Sequence, residues 1–323
     1  MRVAIEQRFG PLAEWRSLRG LLTGAAALAL VVLVVFGLTT ERFLTVENIK
    51  AILSSASIVG IMALGLTFIT LIGSLVSLAI APTAVMGAMV FLVELHFGLV
   101  PALAISIAAG ALVTAAQGLI VGAWGANPVI LTIGAGFLVS GVTAKASGGV
   151  IVQPTGGGWS TLNSTPLGVP LGVYVMVALA LVYQYVLKRT VLGRRVTLIG
   201  ENRQAARAAG MRIALITAIA FALAGASFAL GGAFLGAFNK GASAQLEGTL
   251  TFDVIAAVLV GGTLVSGGRG SALRTLAGAI VIATISDLLL LRGLDTGAQI
   301  LFKGVLVVLV VIATFVTSGR DAA

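Results

Sequence analysis

Ten apolar runs separated by short polar segments fill most of this chain. At about 1.5 Å of rise per residue, nearly all of them are long enough to cross a bilayer as a helix. The pattern predicts an all-α polytopic membrane protein of about ten transmembrane helices, with residues 1–323 forming a single transmembrane domain. The predicted runs are Leu21–Leu38, Ile49–Ile72, Ser74 to about Leu95, about Leu99 to Trp124, a fifth that opens at Asn127, Leu171–Leu187, Ile213 to about Ala237, Val254–Val265, Ala272–Leu291 and Ala298–Thr317.

Ten helices divide into two halves of five, and an odd number in each half places the halves in opposite orientations across the membrane. The third run of each half is irregular. Pro82 is predicted to break the first of these runs, and Gly261 with Gly262 shortens the second below a comfortable crossing length. Interrupted helices at corresponding positions of two inverted halves indicate a transport pathway at the interface between the halves.

Polar and small residues near the two irregular runs are therefore candidates for lining that pathway. Asn127 and Asp253 also have simpler roles, because each is predicted to cap the start of a helix. An ionisable group within a membrane span is a functional candidate by default, so Asp253 keeps both interpretations. The candidate pathway residues are Ser77, Pro82, Asn127, Thr132, Asp253, Gly261, Gly262 and Thr263.

The positive charges fall mainly on one side of the predicted topology. If the N-terminus is inside, four Lys and Arg lie in residues 1–20, seven in 188–212 and three in other inner segments, against six outside. The positive-inside rule then predicts that both termini and the loop 188–212 are cytoplasmic.

Within that loop, the sequence predicts a helix of about two turns from Arg203 to Ala209. Asn202 has the short polar side chain of an N-terminal cap, and Gly210 supplies a C-terminal stop. Several alanines have short side chains, so a partner can approach the helix closely. Arg203 and Arg207 share one face at a spacing of four residues. The pattern indicates a short helix that binds in a groove of a cytoplasmic partner. The alternative is a solvated basic loop that only satisfies the positive-inside rule.

Composition excludes several classes of function. Hydrophobic residues make up 59% of the chain and charged residues 10%. Soluble domains contain about 25% charged residues, so the chain does not have the composition of one. The net charge of +9 is dispersed between the spans and so does not indicate nucleic-acid binding. The chain has no cysteine, a single histidine (His96), no Gly-Lys pair of a phosphate-binding loop and no catalytic constellation. We therefore expect neither an enzyme nor a metal or cofactor in this chain.

Two segments resemble a known family. GENRQAARAAGMRI at 200–213 is similar to the coupling segment Gly-x-Asn-x-x-Ala-Ala-Arg-x-x-Gly-Ile of ribose-type permeases, the membrane subunits of bacterial ABC sugar importers. FDVIAAVLVGGTLVSGGRGS at 252–271 resembles a second stretch of the same family, Asp-x-Ile-Ala-Ala-Val-x-x-Gly-Gly-Thr-x-x-x-Gly-Gly-x-Gly. The likeness runs from about Phe43 to Thr317, and the broader family includes permeases for nucleosides and branched-chain amino acids.

The resemblance implies a fold like that of type II ABC importers in the inner (plasma) membrane of a bacterium. It implies a second permease, identical or not, two cytoplasmic ATPases that bind ATP and magnesium, and a periplasmic substrate-binding protein. The expected substrate is a monosaccharide or polyol, with nucleosides or branched-chain amino acids as the alternative. A secondary transporter or channel would need an ion-coupling site, against which the scarcity of buried carboxylates argues. With Arg203 from the basic face, the residues assigned to ATPase coupling are Gly200, Glu201, Asn202, Arg203, Ala205, Ala206, Arg207 and Gly210.

The chain departs from the family at the entrance to the third span. The family commonly has Gly-Ile-Asp-Leu-Ser-Val-Gly there, and the corresponding residues 75–81 read LVSLAIA, without the Asp and that Ser. The difference indicates either a less polar or atypical substrate, or a non-identical second permease that retains the motif.

Overall fold

The computed structural model describes residues 39–40, 43–74 and 76–318, so the predicted first span Leu21–Leu38 and the segment 1–20 lie outside the described residues. The described chain is built from helices joined by short turns. The helices are α1 Val46–Leu71, α2 Ile80–Glu94, α3 Leu99–Trp124, α4 Pro128–Ala146, α5 Trp159–Leu162, α6 Leu171–Arg189, α7 Val191–Glu201, α8 Arg203–Ala208, α9 Ile213–Asn239, α10 Leu250–Val260, α11 Ala272–Leu291 and α12 Thr296–Ser318.

Seven helical segments in the described part of the chain are long and apolar enough to cross a membrane. They are α1, Ile80–Phe97 (α2 with the turn after it), α3, α4, α6, α9 and α11. Two further apolar segments, Leu250–Val260 and Thr296–Val310, are shorter. The predicted class, an all-α polytopic membrane protein, is confirmed, whereas the count of ten crossings is not.

The chain divides into two compact units. The larger contains residues 49–284, and the smaller contains 1–48 together with 285–323, of which only part is described. In the smaller unit, the side-chain amide of Asn48 donates a 2.7 Å hydrogen bond to the carboxylate of Asp287. The same unit contains hydrogen bonds from the guanidinium of Arg292 to the hydroxyls of Thr39 and Thr40.

Close helix packing in the larger unit depends on small residues. A Cβ built on Gly87 of α2 would lie 2.5 Å from the Cα of Ala229 on α9, and one built on Gly110 of α3 would lie 2.5 Å from the carbonyl oxygen of Gly225. At this separation, the hydroxyl of Thr114 also reaches across to the backbone of α9. Between apolar helices in lipid, close packing and such hydrogen bonds replace the hydrophobic effect as the source of association.

The two irregular elements are present, but their details correct the predictions. Pro82 does not break a helix, because α2 begins only at Ile80 and Pro82 occupies its first turn, where a backbone N–H has no helical partner to lose. The described residues before it, 72–74 and 76–79, are irregular. The short element is Leu250–Val260 and not Val254–Val265. Thr249 is at its N-cap position, so the prediction that Asp253 is the cap is wrong.

The loop 188–212 also differs from the prediction, because most of it is helical. Its first two residues, Lys188 and Arg189, end α6. The helix α7 follows directly and had no counterpart in the sequence prediction. It buries Gly193, Val196 and Ile199, which recur every three residues and so form one face.

Candidate functional site

The short helix predicted to meet a partner exists and is formed by local interactions. The side chain of Asn202 accepts a 2.9 Å hydrogen bond from the backbone N–H of Ala205, as expected of an N-terminal cap. Gly210 adopts a φ of 73°, a left-handed conformation that ends helices and favours glycine. Both predicted end signals are confirmed, and α8 extends from Arg203 to Ala208.

One face of α8 contacts its own chain. The guanidinium of Arg203 donates hydrogen bonds to the carbonyl oxygens of Val121 (2.8 Å) and Gly122 (3.2 Å) near the end of α3. Carbonyls at a helix C-terminus carry partial negative charge and attract a cation. Burial lowers the pKa of Arg203, and the positive charge of Arg207 lowers it further. Ala206 is also buried and Arg203 is half-buried, so these two residues of the predicted coupling set contact their own chain.

The remaining surface of α8 is exposed, and it includes Arg207 one turn after Arg203. Gln204, Ala205, Arg207 and Ala208 are exposed there, next to exposed Glu201 and Asn202 at the start of the helix. A surface depression of about 580 Å³ runs along Arg203, Gln204, Arg207 and Ala208. The accessible face therefore presents Arg207 as a cation beside an amide and small alanines, and a carboxylate from another protein can approach it closely.

Gly200 has a different position from the one predicted. It lies in the last turn of α7, where its Cα hydrogens face the backbone of Leu71 at the end of α1. A Cβ at Gly200 would collide with the carbonyl oxygen of Leu71 and lie 2.7 Å from the backbone nitrogen of Gly268. The N–H of Gly268 donates a 2.9 Å hydrogen bond to the same Leu71 carbonyl. Gly200 therefore joins α7 to α1 and to the turn after α10, and it is not part of the exposed face.

Three helices meet where the irregular residues 76–79 lead into α2. The backbone N–H of Ala81 donates to the hydroxyl of Thr251 in the first turn of α10 at 3.2 Å. The hydroxyl of Thr132 on α4 accepts from the N–H of Leu78 at 3.1 Å. The hydroxyl of Ser77 accepts from the N–H of Ala79 at 3.3 Å. The structure thus brings Ser77, Thr132 and the first turn of α2 together, and it adds Thr251, which the sequence analysis did not single out.

The other predicted pathway residues lie elsewhere. Asn127 is exposed, and its side chain accepts from the N–H groups of Val129 and Ile130 at the start of α4, which confirms its predicted role as a cap. Gly261 and Thr263 follow α10 and lie ten and twelve residues beyond Thr251 in the chain. Ten residues correspond to about 15 Å along a helix. Gly262 adopts a φ of 73° in the same turn. Asp253 accepts a 3.0 Å hydrogen bond from the hydroxyl of Thr249.

Three buried side chains in the described part of the chain have polar atoms without a hydrogen-bond partner. They are the hydroxyls of Thr83 and Thr263 and the amide of Gln117 on α3. Thr83 lies in the first turn of α2, one residue after Pro82. An unpaired buried polar group is costly, so such groups are uncommon away from water or functional sites. The sequence analysis did not single out Thr83 or Gln117, whose one signal was a polar side chain within an apolar run.

Comparison with known proteins decides the family. Residues 48–314 match the family described as the permease component of the branched-chain amino acid transport system. The chain belongs to this family. The permease is 31% identical to the ribose import permease protein RbsC of Escherichia coli over 88% of its own length and 90% of that relative.

Two further relatives match over similar fractions of both chains. The permease is 27% identical to the autoinducer 2 import system permease protein LsrD of Yersinia enterocolitica, over 91% of its own length and 92% of the relative. It is 26% identical to the L-arabinose ABC transporter permease protein AraH of Azospirillum brasilense, over 90% and 86%. No solved structure matches the permease significantly. The resemblance drawn from the two motifs is confirmed, and the protein is a multi-pass membrane permease.

Proposed function

We propose that this permease is the membrane-spanning subunit of an ATP-driven importer and that it carries a monosaccharide or a related polyol by alternating access. Its similarity to permeases named for ribose and L-arabinose supports the substrate class. The observation that carries the mechanism is the bond between α8 and α3: the helix with an exposed partner face is tied by Arg203 to the backbone of a transmembrane helix.

In this proposal, a cytoplasmic ATPase grips the exposed face of α8, and ATP and magnesium bind only to that partner. Closure of the ATPase pair displaces α8 together with α7. The hydrogen bonds of Arg203 pass the displacement to α3, and the contact of Gly200 passes it to α1 and to the turn after α10. Rigid elements that switch between two packed arrangements provide the outward-open and inward-open states.

The junction of α2, α4 and α10 is the proposed substrate pathway. Its side chains Ser77, Thr132 and Thr251 are neutral hydroxyls, which can exchange hydrogen bonds with a hydroxyl-rich neutral solute. The first turns of α2 and α10 also meet there, and irregular backbone between helices is characteristic of transporter sites. The absence of the family's Asp at residues 75–81 fits a neutral site.

A branched-chain amino acid is the second candidate substrate. The partial positive charge at the N-termini of α2 and α10 would favour its carboxylate. The description of the matched family also names branched-chain amino acid transport.

The remaining assignments follow from the importer hypothesis. The excess of basic residues in 188–212 supports a cytoplasmic position for α7 and α8 in the inner membrane of a bacterium. A periplasmic binding protein would deliver the solute from the other side, and a second permease subunit would complete the pathway.

Reconstitution of the complete transporter tests the proposal. The permease, purified with its ATPase and binding protein, is placed in vesicles, and the uptake of labelled ribose, arabinose and leucine is measured with ATP inside. We expect pentose uptake that stops when the ATPase carries an inactivating substitution in its nucleotide site. Equal uptake without ATP would refute the importer mechanism, and uptake of leucine alone would establish the second candidate.

A further inference from the structure

A basic cavity of about 360 Å³ lies on the side of the larger unit where α7 and α8 are found. Helix α6, helix α7 and the segment from Gly268 to Arg274 surround it. Three cationic side chains line the cavity, and none of its described lining residues is a carboxylate. The cations are Lys188 at the end of α6, Arg269 in the turn after α10 and Arg274 in the first turn of α11.

The wall of this cavity is held in place by a specific contact. The side-chain oxygen of Gln184 on α6 accepts 3.0 Å hydrogen bonds from the hydroxyl of Ser271 and from the backbone N–H of Ala272. Gln184 therefore caps the N-terminus of α11 from a neighbouring helix. The contact fixes the distance between the Lys188 side and the Arg274 side of the cavity, so the positions of these two cations are set by helices.

An apolar stripe leads from the cavity towards the middle of α6. Val177, Leu181 and Tyr185 are exposed, with relative exposures of 41%, 57% and 65%. They lie at helical spacing before Lys188, so the three side chains and the cation share one face of α6. A helix in a membrane presents such a face to lipid chains, with its cation at the level of the headgroups.

We propose that the cavity binds the anionic headgroup of a phospholipid, with the phosphate between Lys188, Arg269 and Arg274 and an acyl chain along Val177, Leu181 and Tyr185. Basic pockets between transmembrane helices suit lipid phosphates, because several cations surround the charge and the adjacent apolar surface accepts the chain. A free phosphate would use the cations but not the stripe. An acidic protein segment would also pair with the cations but would leave the exposed apolar stripe uncovered.

The lipid would connect α6, α7 and the start of α11, the elements that surround the proposed coupling contacts. The bound lipid would therefore stabilise the packing of α7 on which Gly200 depends. This inference needs only a membrane protein with α7 on one face, so it can fail without affecting the proposed importer function.

Native mass spectrometry of the full-length permease in detergent tests the proposal. The probes are dioctanoyl phosphatidylglycerol, dioctanoyl phosphatidylcholine and inorganic phosphate. We expect the anionic lipid to bind in preference to the other two. Because each cation near a lipid surface contributes about fivefold in affinity, K188Q/R269Q/R274Q should bind the anionic lipid about 100-fold more weakly. R274Q, which removes one of the three cations, should lower affinity about fivefold.

The matched control is K145Q/K240Q, which removes cations from the ends of α4 and α9 that lie away from α8. It should leave lipid binding unchanged. Equal lipid binding by the wild type and both cavity variants would overturn the proposal. Competition by inorganic phosphate at the affinity of the lipid would assign the cavity to free phosphate. Loss of a bound protein partner from the triple variant, with lipid binding retained, would assign it to a protein contact.

Discussion

The guanidinium of Arg203 lies 2.8 Å from the carbonyl oxygen of Val121, so the first residue of the short helix α8 is bonded to the end of the membrane-crossing helix α3. The two residues are far apart in sequence, and nothing in the loop itself would bring them together. Arg207, one turn later, is exposed. The two arginines of α8 therefore have separate positions: Arg203 connects the helix to its own chain, and Arg207 faces outward.

Replacing Arg203 should uncouple ATP hydrolysis from transport. R203Q removes the charge-assisted hydrogen bonds to Val121 and Gly122, a loss of about 1.5–3 kcal/mol. We expect the ATPase to stay bound and to hydrolyse ATP, while uptake falls about tenfold because displacement of α8 no longer reaches α3. Copurification, ATP hydrolysis and uptake in vesicles measure the three quantities. R203K, which retains the charge, should recover part of the uptake; normal uptake by R203Q would contradict the role of this bond.

Reversing the charge of Arg207 should act one step earlier, on binding of the ATPase. Arg207 is exposed, so R207E should fold, but the new carboxylate repels the carboxylate expected on the partner. Copurification of the ATPase and uptake should both fall by about tenfold or more. The control is R194E on the exposed side of α7, which should change neither quantity. A complex that forms normally with R207E would show that α8 is not gripped at this face.

Enlarging Gly200 should destabilise the packing of α7. G200A places a methyl group against the backbone of Leu71 and Gly268, which cannot rotate away as a side chain could. Overpacking of this kind costs about 1–3 kcal/mol, so the thermal midpoint of the purified protein should fall by several degrees. G134A on α4 is the matched control, because a Cβ there meets no atom within 4 Å. Equal melting temperatures for the two variants would disprove the close approach.

Removing the cap should loosen α8 without disturbing the membrane helices. N202A deletes the acceptor for the N–H of Ala205, which costs about 1 kcal/mol. Hydrogen exchange of residues 203–208 should become about fivefold faster, while exchange in α9 stays the same. N202D, which keeps a capping oxygen, should behave like the wild type. Unchanged exchange in N202A would show that neighbouring contacts alone maintain the helix.

Cysteine labelling tests the proposed pathway. Single cysteines at Ser77 and Thr251 should react with aqueous thiol reagents in at least one nucleotide state of the reconstituted complex, since alternating access opens the pathway to each side in turn. T114C is the control, because the hydroxyl of Thr114 bonds across the closed interface of α3 with α9 and that position should stay protected. Protection of the Ser77 and Thr251 positions in every state would exclude this junction from the pathway.

Several local signals of the chain predicted helix ends correctly, although Asp253 and Pro82 did not act as predicted. Asn202, Gly210 and the pair Asn127 with Pro128 mark helix ends in both the sequence and the structure, because a cap or stop acts within one turn. The helix α7 could also have been found, since Gly193, Val196 and Ile199 recur at helical spacing within its basic segment.

The sequence by itself determined that this is an all-α membrane permease, because long apolar runs and two family motifs need no tertiary information to be read. It also located the short helix α8. Only the tertiary structure decided that Arg203 and Gly200 contact their own chain, that Pro82 begins a helix without breaking one, and that Thr251 meets the start of α2. The physical reason is that whether a side chain is buried, and against what, depends on which residues distant in sequence pack against it. The periodicity of a helix does not specify those distant contacts.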